Sequence, residues 1–83
     1  VSSNARGRGI ATSAIIILVQ NVFRQTPIRK LIAFVHEENH ASRKVLEKAG
    51  FKQEGFLREH FIVNGKPANE IIYGILRSDA KKL

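Results

Sequence analysis

The chain has 83 residues, with fourteen Lys and Arg against seven Asp and Glu, a formal net charge of +7, and neither cysteine nor methionine. That length allows one small domain with a marginal core, and the missing cysteines exclude disulfides, thiolate metal sites and a cysteine nucleophile. The positive balance suits an anionic partner, such as a phosphorylated cofactor, nucleic acid or a ribosome surface, although no block of consecutive basic residues concentrates it.

Val1 to Asn4 reads as the exit of a strand with no strand before it, and there is no initiator methionine, so the chain is expected to be a fragment. Arg6-Gly7-Arg8-Gly9-Ile10-Ala11-Thr12 then predicts a glycine-rich turn that opens onto a helix. Two glycines let backbone approach a ligand closely, and a helix beginning just after them would aim its unpaired N–H groups and positive dipole end into the same space. With Arg6 and Arg8 beside it, this turn is a seat for phosphate, better matched to a diphosphate-bearing cofactor than to a neutral ligand.

Ala11, Ala14, Ile15, Leu18 and Val22 follow the spacing of one helix face, and Ile16, Ile17, Val19 and Phe23 widen it, so this helix should be covered on most sides. Its purely aliphatic stretch, Ala14 to Val19, is far short of the ~20 residues that cross a bilayer, and the chain reads as a soluble protein of the cytoplasm. Thr26-Pro27 ends the helix. Ile28 to Val35, aliphatic and bounded by Pro27 and His36-Glu37-Glu38-Asn39, predicts a buried strand.

Asn39 is placed to cap a second helix, His40 to Lys48, with Ala41, Val45, Leu46 and Ala49 inward and Gly50 ending it in the left-handed conformation. Phe51 to Val63 predicts two extended stretches or one long bent strand with a bulge at Gly55. Asn64-Gly65 is a hairpin turn, Glu70 to Leu76 the returning strand, and Arg77 to Leu83 a polar tail. The order is loop, helix, strand, helix, strand, hairpin, strand: an α+β fold with a mixed sheet, in which residues 1–83 form a single incomplete domain.

Two of these segments together resemble one known family. Arg6-Gly7-Arg8-Gly9-Ile10-Ala11 fits the Arg/Gln-x-x-Gly-x-Gly/Ala signature of the GNAT superfamily of acetyl-CoA-dependent N-acetyltransferases. Asn39-His40-Ala41-Ser42, followed by Val45-Leu46-Glu47-Lys48-Ala49-Gly50-Phe51, resembles the Asn-x-x-Ser…Glu-Lys-x-Gly-Phe segment of its RimJ/RimL-like branch, and Glu54 to Arg58 with the Asn64-Gly65 turn continue that pattern.

The resemblance implies the C-terminal half of an acyl-CoA N-acyltransferase fold, with acetyl-CoA as co-substrate and no metal. The cofactor diphosphate would rest on backbone N–H groups of Arg8, Gly9, Ile10 and Ala11, with Arg6 and Gly7 completing the turn and the Thr12 hydroxyl adding a bond. The pantetheine arm would lie between two splayed parallel strands, one before Val1 and the other Ile28 to Val35, touching the side chain of Asn39. An acetyl group would pass to a primary amine, of a protein N-terminus or a small molecule, by direct attack in a ternary complex. That reaction needs a deprotonated amine and a proton for the departing thiolate. Leu46 stands where many members carry an acidic tyrosine, so the resemblance points instead to Ser42 as the acid. For the base, Glu59 and His60 follow Gly55 on the strand where the branch tends to place a carboxylate, register decides which faces the cleft, and a solvated strand face or a water chain is the alternative to both.

Other readings compete. A dinucleotide fold would want a third glycine where Thr12 stands. His36 and His40 flank Glu37-Glu38, a pattern more often a polar loop than a metal site. A basic module that binds nucleic acid or the ribosome without catalysis is consistent with a pI of about 10.4. Yet Phe23, Phe34, Phe51, Phe56 and Phe61 all fall at apolar positions, which leaves no exposed aromatic platform. A folded but inactive fragment is the third possibility, because the Ile28 to Val35 strand would expose an unpaired edge. The natural chain is therefore expected to be longer or to pair with a second copy, and the sequence does not identify the amine acceptor.

Overall fold

Two amphipathic helices need a shared apolar surface, and a short antiparallel sheet supplies it. The computed structural model describes residues 3–80, with side chains from residue 9 onward. The elements are α1 (Ser3–Gln25), β1 (Lys30–His36), α2 (His40–Lys48), β2 (Lys52–Val63), β3 (Lys66–Leu76) and α3 (Arg77–Ala80). The strands lie in the order β1-β3-β2 and every pairing is antiparallel. The parallel neighbour expected for β1 is not among the described residues.

Alternation along a strand sends successive side chains to opposite faces. Leu31, Ala33 and Val35 on β1 stand opposite Ile75, Tyr73 and Ile71 on β3, and this face meets Val19 and Phe23 of α1, Leu46 of α2 and Ala49 at its C-cap. On α1 the packed stripe runs through Ile15, Ile16, Val19 and Phe23, while Leu18 and Ile17 are 59% and 57% exposed. The broad cover expected for this helix is therefore corrected to a single stripe, because only one sheet face lies beneath it. Ala41, expected inward on α2, is exposed for the same reason.

The glycine-rich segment is also corrected. Helix α1 begins at Ser3, so Arg6 to Gly9 forms helical turns where a loop was expected, and Ser3-Asn4 is not a strand exit. Ala5, Arg6 and Arg8 favour helix, and continuation of the bonded ladder outweighs the roughly 1 kcal/mol that each glycine costs relative to alanine. Val1 and Ser2 lie outside the described residues.

The turns behave as their residues dictate. Asn64 and Gly65 both have positive φ, at 51° and 78°, the type I′ geometry whose twist suits a tight hairpin. Val63 pairs at once with Lys66, so β3 starts well before Glu70. Pro67 is tolerated there because β1 ends at His36, opposite Glu70, leaving β3 with one partner over its first residues. Gly50, at φ 103°, closes α2 as expected. Strand β2 is a single long strand with two register shifts, one between Gln53 and Gly55 and a second between Leu57 and Phe61.

The other sheet face is open. Ile32 and Phe34, on the opposite side of β1 from its packed residues, are 56% and 62% exposed, so β1 is not the buried strand its aliphatic run suggested. Phe56, on the helix-bearing face opposite Ile71, is exposed as well, so the expectation that the phenylalanines at apolar positions leave none exposed is corrected for Phe34 and Phe56. Across the open face the Lys30 ammonium reaches the Glu54 carboxylate at 2.5 Å, passing over Gly74, where a Cβ would stand 2.6 Å from that carboxylate.

Of the expected polar tail, Arg77–Ala80 is a helical turn that secures the far end of α1, and residues 81–83 lie outside the described residues. The Arg77 guanidinium donates to the carbonyls of Phe23, Thr26 and Ile28 and lies 5.2 Å from the centre of the Phe23 ring. It thereby satisfies carbonyls left without helical partners. Among the described residues no helix is long and apolar enough to cross a membrane.

Ile75 and Ile32 lie on opposite faces, so their truncations separate the two surfaces. Ile75→Ala should lower unfolding stability by about 2–5 kcal/mol, whereas Ile32→Ala should change it by less than about 0.5 kcal/mol, as read from urea unfolding of the chain.

Candidate functional site

The start of α2 organises the site. Asn39 Oδ1 accepts the backbone N–H of Ser42 at 3.2 Å, which makes Asn39 the N-cap. The Nδ2 hydrogens of Asn39 are the donors its side chain offers to a further group. Ser42 is half-buried in the first turn of the helix.

Arg43, the next residue, fixes this helix to the sheet. Its Nη1 donates to the Glu37 carbonyl at 2.9 Å and its Nε to the Tyr73 hydroxyl at 3.2 Å, and that hydroxyl donates in turn to Glu47 Oε2 at 2.8 Å. Burial pushes the Tyr73 hydroxyl above its ordinary pKa, and the Glu47 carboxylate adds to this while the Arg43 bond opposes it. The hydrogen bond to Tyr73 in turn raises Arg43, which stays charged.

A second set of contacts runs from the β1–α2 turn to the hairpin strands. Asn69 Nδ2 donates to Glu37 Oε1 at 2.8 Å, its Oδ1 accepts the Glu59 N–H at 2.7 Å, and its carbonyl accepts the Glu37 N–H at 3.0 Å. Leu57 faces Glu70 and Phe61 faces Ala68, so three residues of β2, Arg58 to His60, stand opposite Asn69 alone. This is an enlarged bulge, and Glu59 within it has φ 47°, a left-handed conformation that is unfavourable for glutamate. His60 Nε2 lies 3.5 Å from Glu70 Oε1. The His36 ring meets the Phe61 ring edge-on, with centroids 4.1 Å apart.

Between the β1–α2 turn and the hairpin is an open groove of about 530 Å³, lined by residues that include Glu37, Glu38, Asn39, Asn64, Lys66 and Asn69. The Glu37 and Glu38 carboxylates outnumber the Lys66 ammonium in this lining, which suits a cationic ligand in contrast to the positive charge of the whole chain. Among the described residues no three His, Asp or Glu side chains are grouped to hold a metal ion.

The structure places the sequence-derived candidates in two regions. Asn39 and Ser42 meet directly at the start of α2, and the bulge that carries Glu59 is joined to the turn before Asn39 through Asn69 and Glu37. Arg6, Gly7 and Arg8 lie in the first turns of α1; Gly9 and Ile10 are exposed, and Ala11 and Thr12 are half-buried. Sequence reasoning missed Arg43, Asn69 and Glu70. The only advance signal was the hairpin register, which a type I′ turn at Asn64-Gly65 fixes.

This arrangement of helices on one face of an antiparallel sheet has close counterparts among solved structures. The sequence profile of the acetyltransferase (GNAT) domain matches residues 1–52, and the chain belongs to that family. It is 36% identical over 73 residues to the probable N-acetyltransferase YjcK of Bacillus subtilis strain 168, covering 88% of this chain and 40% of that protein. It is 32% identical over 71 residues to spermidine N(1)-acetyltransferase of Escherichia coli K12, covering 86% and 38%. The structure resembles spermidine N-acetyltransferase from Vibrio cholerae, solved with CoA and spermine, with a TM-score of 0.84 at 29% identity over 90% of this chain and 44% of that one. The chain thus spans about two fifths of the length of the curated relatives it matches.

Tyr73 is the chain's single tyrosine, so its titration can be followed by tyrosinate absorbance without overlap. Its ionisation in the native chain should lie above the ordinary value of about 10 and return there in denaturant. Because the folded pKa is raised, the stability it contributes is full below about pH 10 and is lost as pH rises through the native value. Tyr73→Phe should remove that part of the alkaline loss.

Proposed function

We propose that this chain is the coenzyme-binding part of a cytoplasmic, RimJ/RimL-like N-acetyltransferase that moves an acetyl group from acetyl-CoA to a primary amine by direct attack. The observation that carries this reading is the Asn39-capped start of α2, tied through Glu37 and Asn69 to a strained bulge and bordered by an acid-lined groove. It gathers a donor for the pantetheine arm, a hydroxyl for the leaving sulfur and polar residues for an amine. Asn39 Nδ2 is the donor to the arm. Ser42 relays a proton to the thiolate; the bulge, with Glu59 and His60 adjacent, supplies the group that deprotonates the amine. Positioning supplies much of the remaining rate.

The diphosphate is assigned to the N-terminal end of α1, over Arg6, Gly7, Arg8, Gly9, Ile10, Ala11 and Thr12. The donor chemistry fits, since two arginines and the positive end of a helix dipole favour an anion there. One condition follows from the structure. Amides past the first helical turn are bonded within the helix, so a grip on phosphate by residues 8–11 requires that the glycine segment open.

The carboxylates of Glu37 and Glu38 favour a cationic acceptor over a neutral one. A polyamine and a protein N-terminus both satisfy this, and the spermidine acetyltransferases among the relatives make a polyamine the first acceptor to test. The open edge of β1 is the place for the parallel strand of the family fold or for a second copy.

Coenzyme A at a hundred times its Kd should stabilise the protein by about 2.7 kcal/mol, a shift of several degrees in Tm. Replacing Arg6 and Arg8 together by alanine should weaken coenzyme binding about tenfold or more. If coenzyme A leaves Tm unchanged while RNA or DNA binds with steep salt dependence, the catalytic reading gives way to a basic binding module.

Ser42→Ala tests the acid separately. It should lower kcat by about a hundredfold with little change in KM for acetyl-CoA; an unchanged kcat would reduce Ser42 to a helix residue.

A further inference from the structure

The bulge presents two candidate proton acceptors, and their surroundings differ. Glu59 is exposed, and its place in the bulge is set through its backbone, by the Asn69 side chain. His60 is 54% exposed at its side chain, open to a ligand, and is held from behind by Glu70, whose side chain is 14% exposed. Glu70 sits on the open sheet face, directly opposite His36 in the β1–β3 register. His36 in turn packs on Phe61, the residue next to His60. Of the charged and titratable groups nearby, Glu70 from β3 stands against the His60 imidazole, His36 from β1 packs on the adjoining Phe61, and Arg58 and Glu59 precede His60 on β2.

A half-buried carboxylate at ion-pair distance from one ring nitrogen favours the ring orientation that keeps that nitrogen toward it. In the neutral tautomer that keeps its proton on Nε2, the nitrogen nearer Glu70, Nδ1 carries the lone pair. Histidine is the side chain whose proton exchange matches neutral pH, and an ammonium acceptor must lose a proton before it can attack.

We propose that His60 is the proton acceptor for the amine and that Glu70 is the positioning residue that holds it. In this step the ammonium group transfers one proton to His60 Nδ1. The freed nitrogen lone pair forms the C–N bond to the acetyl carbon, and the C–S bond breaks with its electron pair on sulfur. The nitrogen's surplus proton ends on that sulfur, and His60 releases its own to solvent. The inference rests on the acetyltransferase reading and deepens it by separating His60 from Glu59.

The test uses the full-length protein with acetyl-CoA and a panel of primary amines that includes spermidine. His60→Ala and Glu70→Gln should each lower kcat by about tenfold or more while KM for acetyl-CoA stays within about threefold. The double variant should be no slower than His60→Ala alone, because the two residues act as a unit. Added imidazole should restore part of the rate to His60→Ala, a recovery that a purely structural role would not give. Full activity of His60→Ala, or a loss confined to Glu59→Gln, overturns the inference and leaves the acetyltransferase reading intact. Absence of transfer to every amine by the unaltered protein overturns that reading, and the inference with it.

Discussion

The Tyr73 hydroxyl stands where the helical layer meets the middle strand. It accepts a hydrogen bond from Arg43 and donates one to Glu47, so two residues of α2 are fixed to the centre of β3 by one oxygen atom. Arg43 spends another donor on the Glu37 carbonyl, and the turn before Asn39 is thereby held as well. The position of the cap, and with it the geometry at Ser42, follows from how this phenol is buried. Tyr73 itself is fully buried, packed with Ile71 and Ile75 under both helices. Polar and apolar contacts thus lock the same junction, and a shift of α2 against the sheet would break both kinds.

Much of this was legible in the residues. Asn39 before His40 and Gly50 after Lys48 bracket α2 correctly because caps are local chemistry, decided by one or two side chains. The Asn64-Gly65 hairpin was legible for the same reason. Burial was less so, since it depends on what lies opposite. Ile32 and Phe34 have the composition of a core strand, yet only alternate residues of β1 meet a helix. The glycines at 7 and 9 suggested a turn, but local propensity is a weak prior against the bonded ladder of a long helix. Glu70 and Asn69 could not be singled out because their importance comes from a second bulge, and no glycine in the stretch from Leu57 to Phe61 announces it.

Charge is distributed unevenly in a useful way. The chain as a whole is strongly basic, while the groove beside Asn39 carries Glu37 and Glu38 at its lip. On the function proposed above, an anionic coenzyme and a cationic acceptor would be drawn to different parts of one small surface, which reduces their competition for a single site. The carboxylate of Glu37 is further shared with Asn69, so the lip is held in place by the strand that also carries Glu70.

Arg77 grips the carbonyls of Phe23, Thr26 and Ile28, at the opposite end of α1 from the arginine-glycine segment. A rod anchored so firmly at its base has little freedom to slide along its axis. Any rearrangement at its tip must then be local unwinding, and the glycines at positions 7 and 9 mark where the backbone yields most readily. The short helix α3 therefore governs, from a distance, how the opposite end of α1 can move.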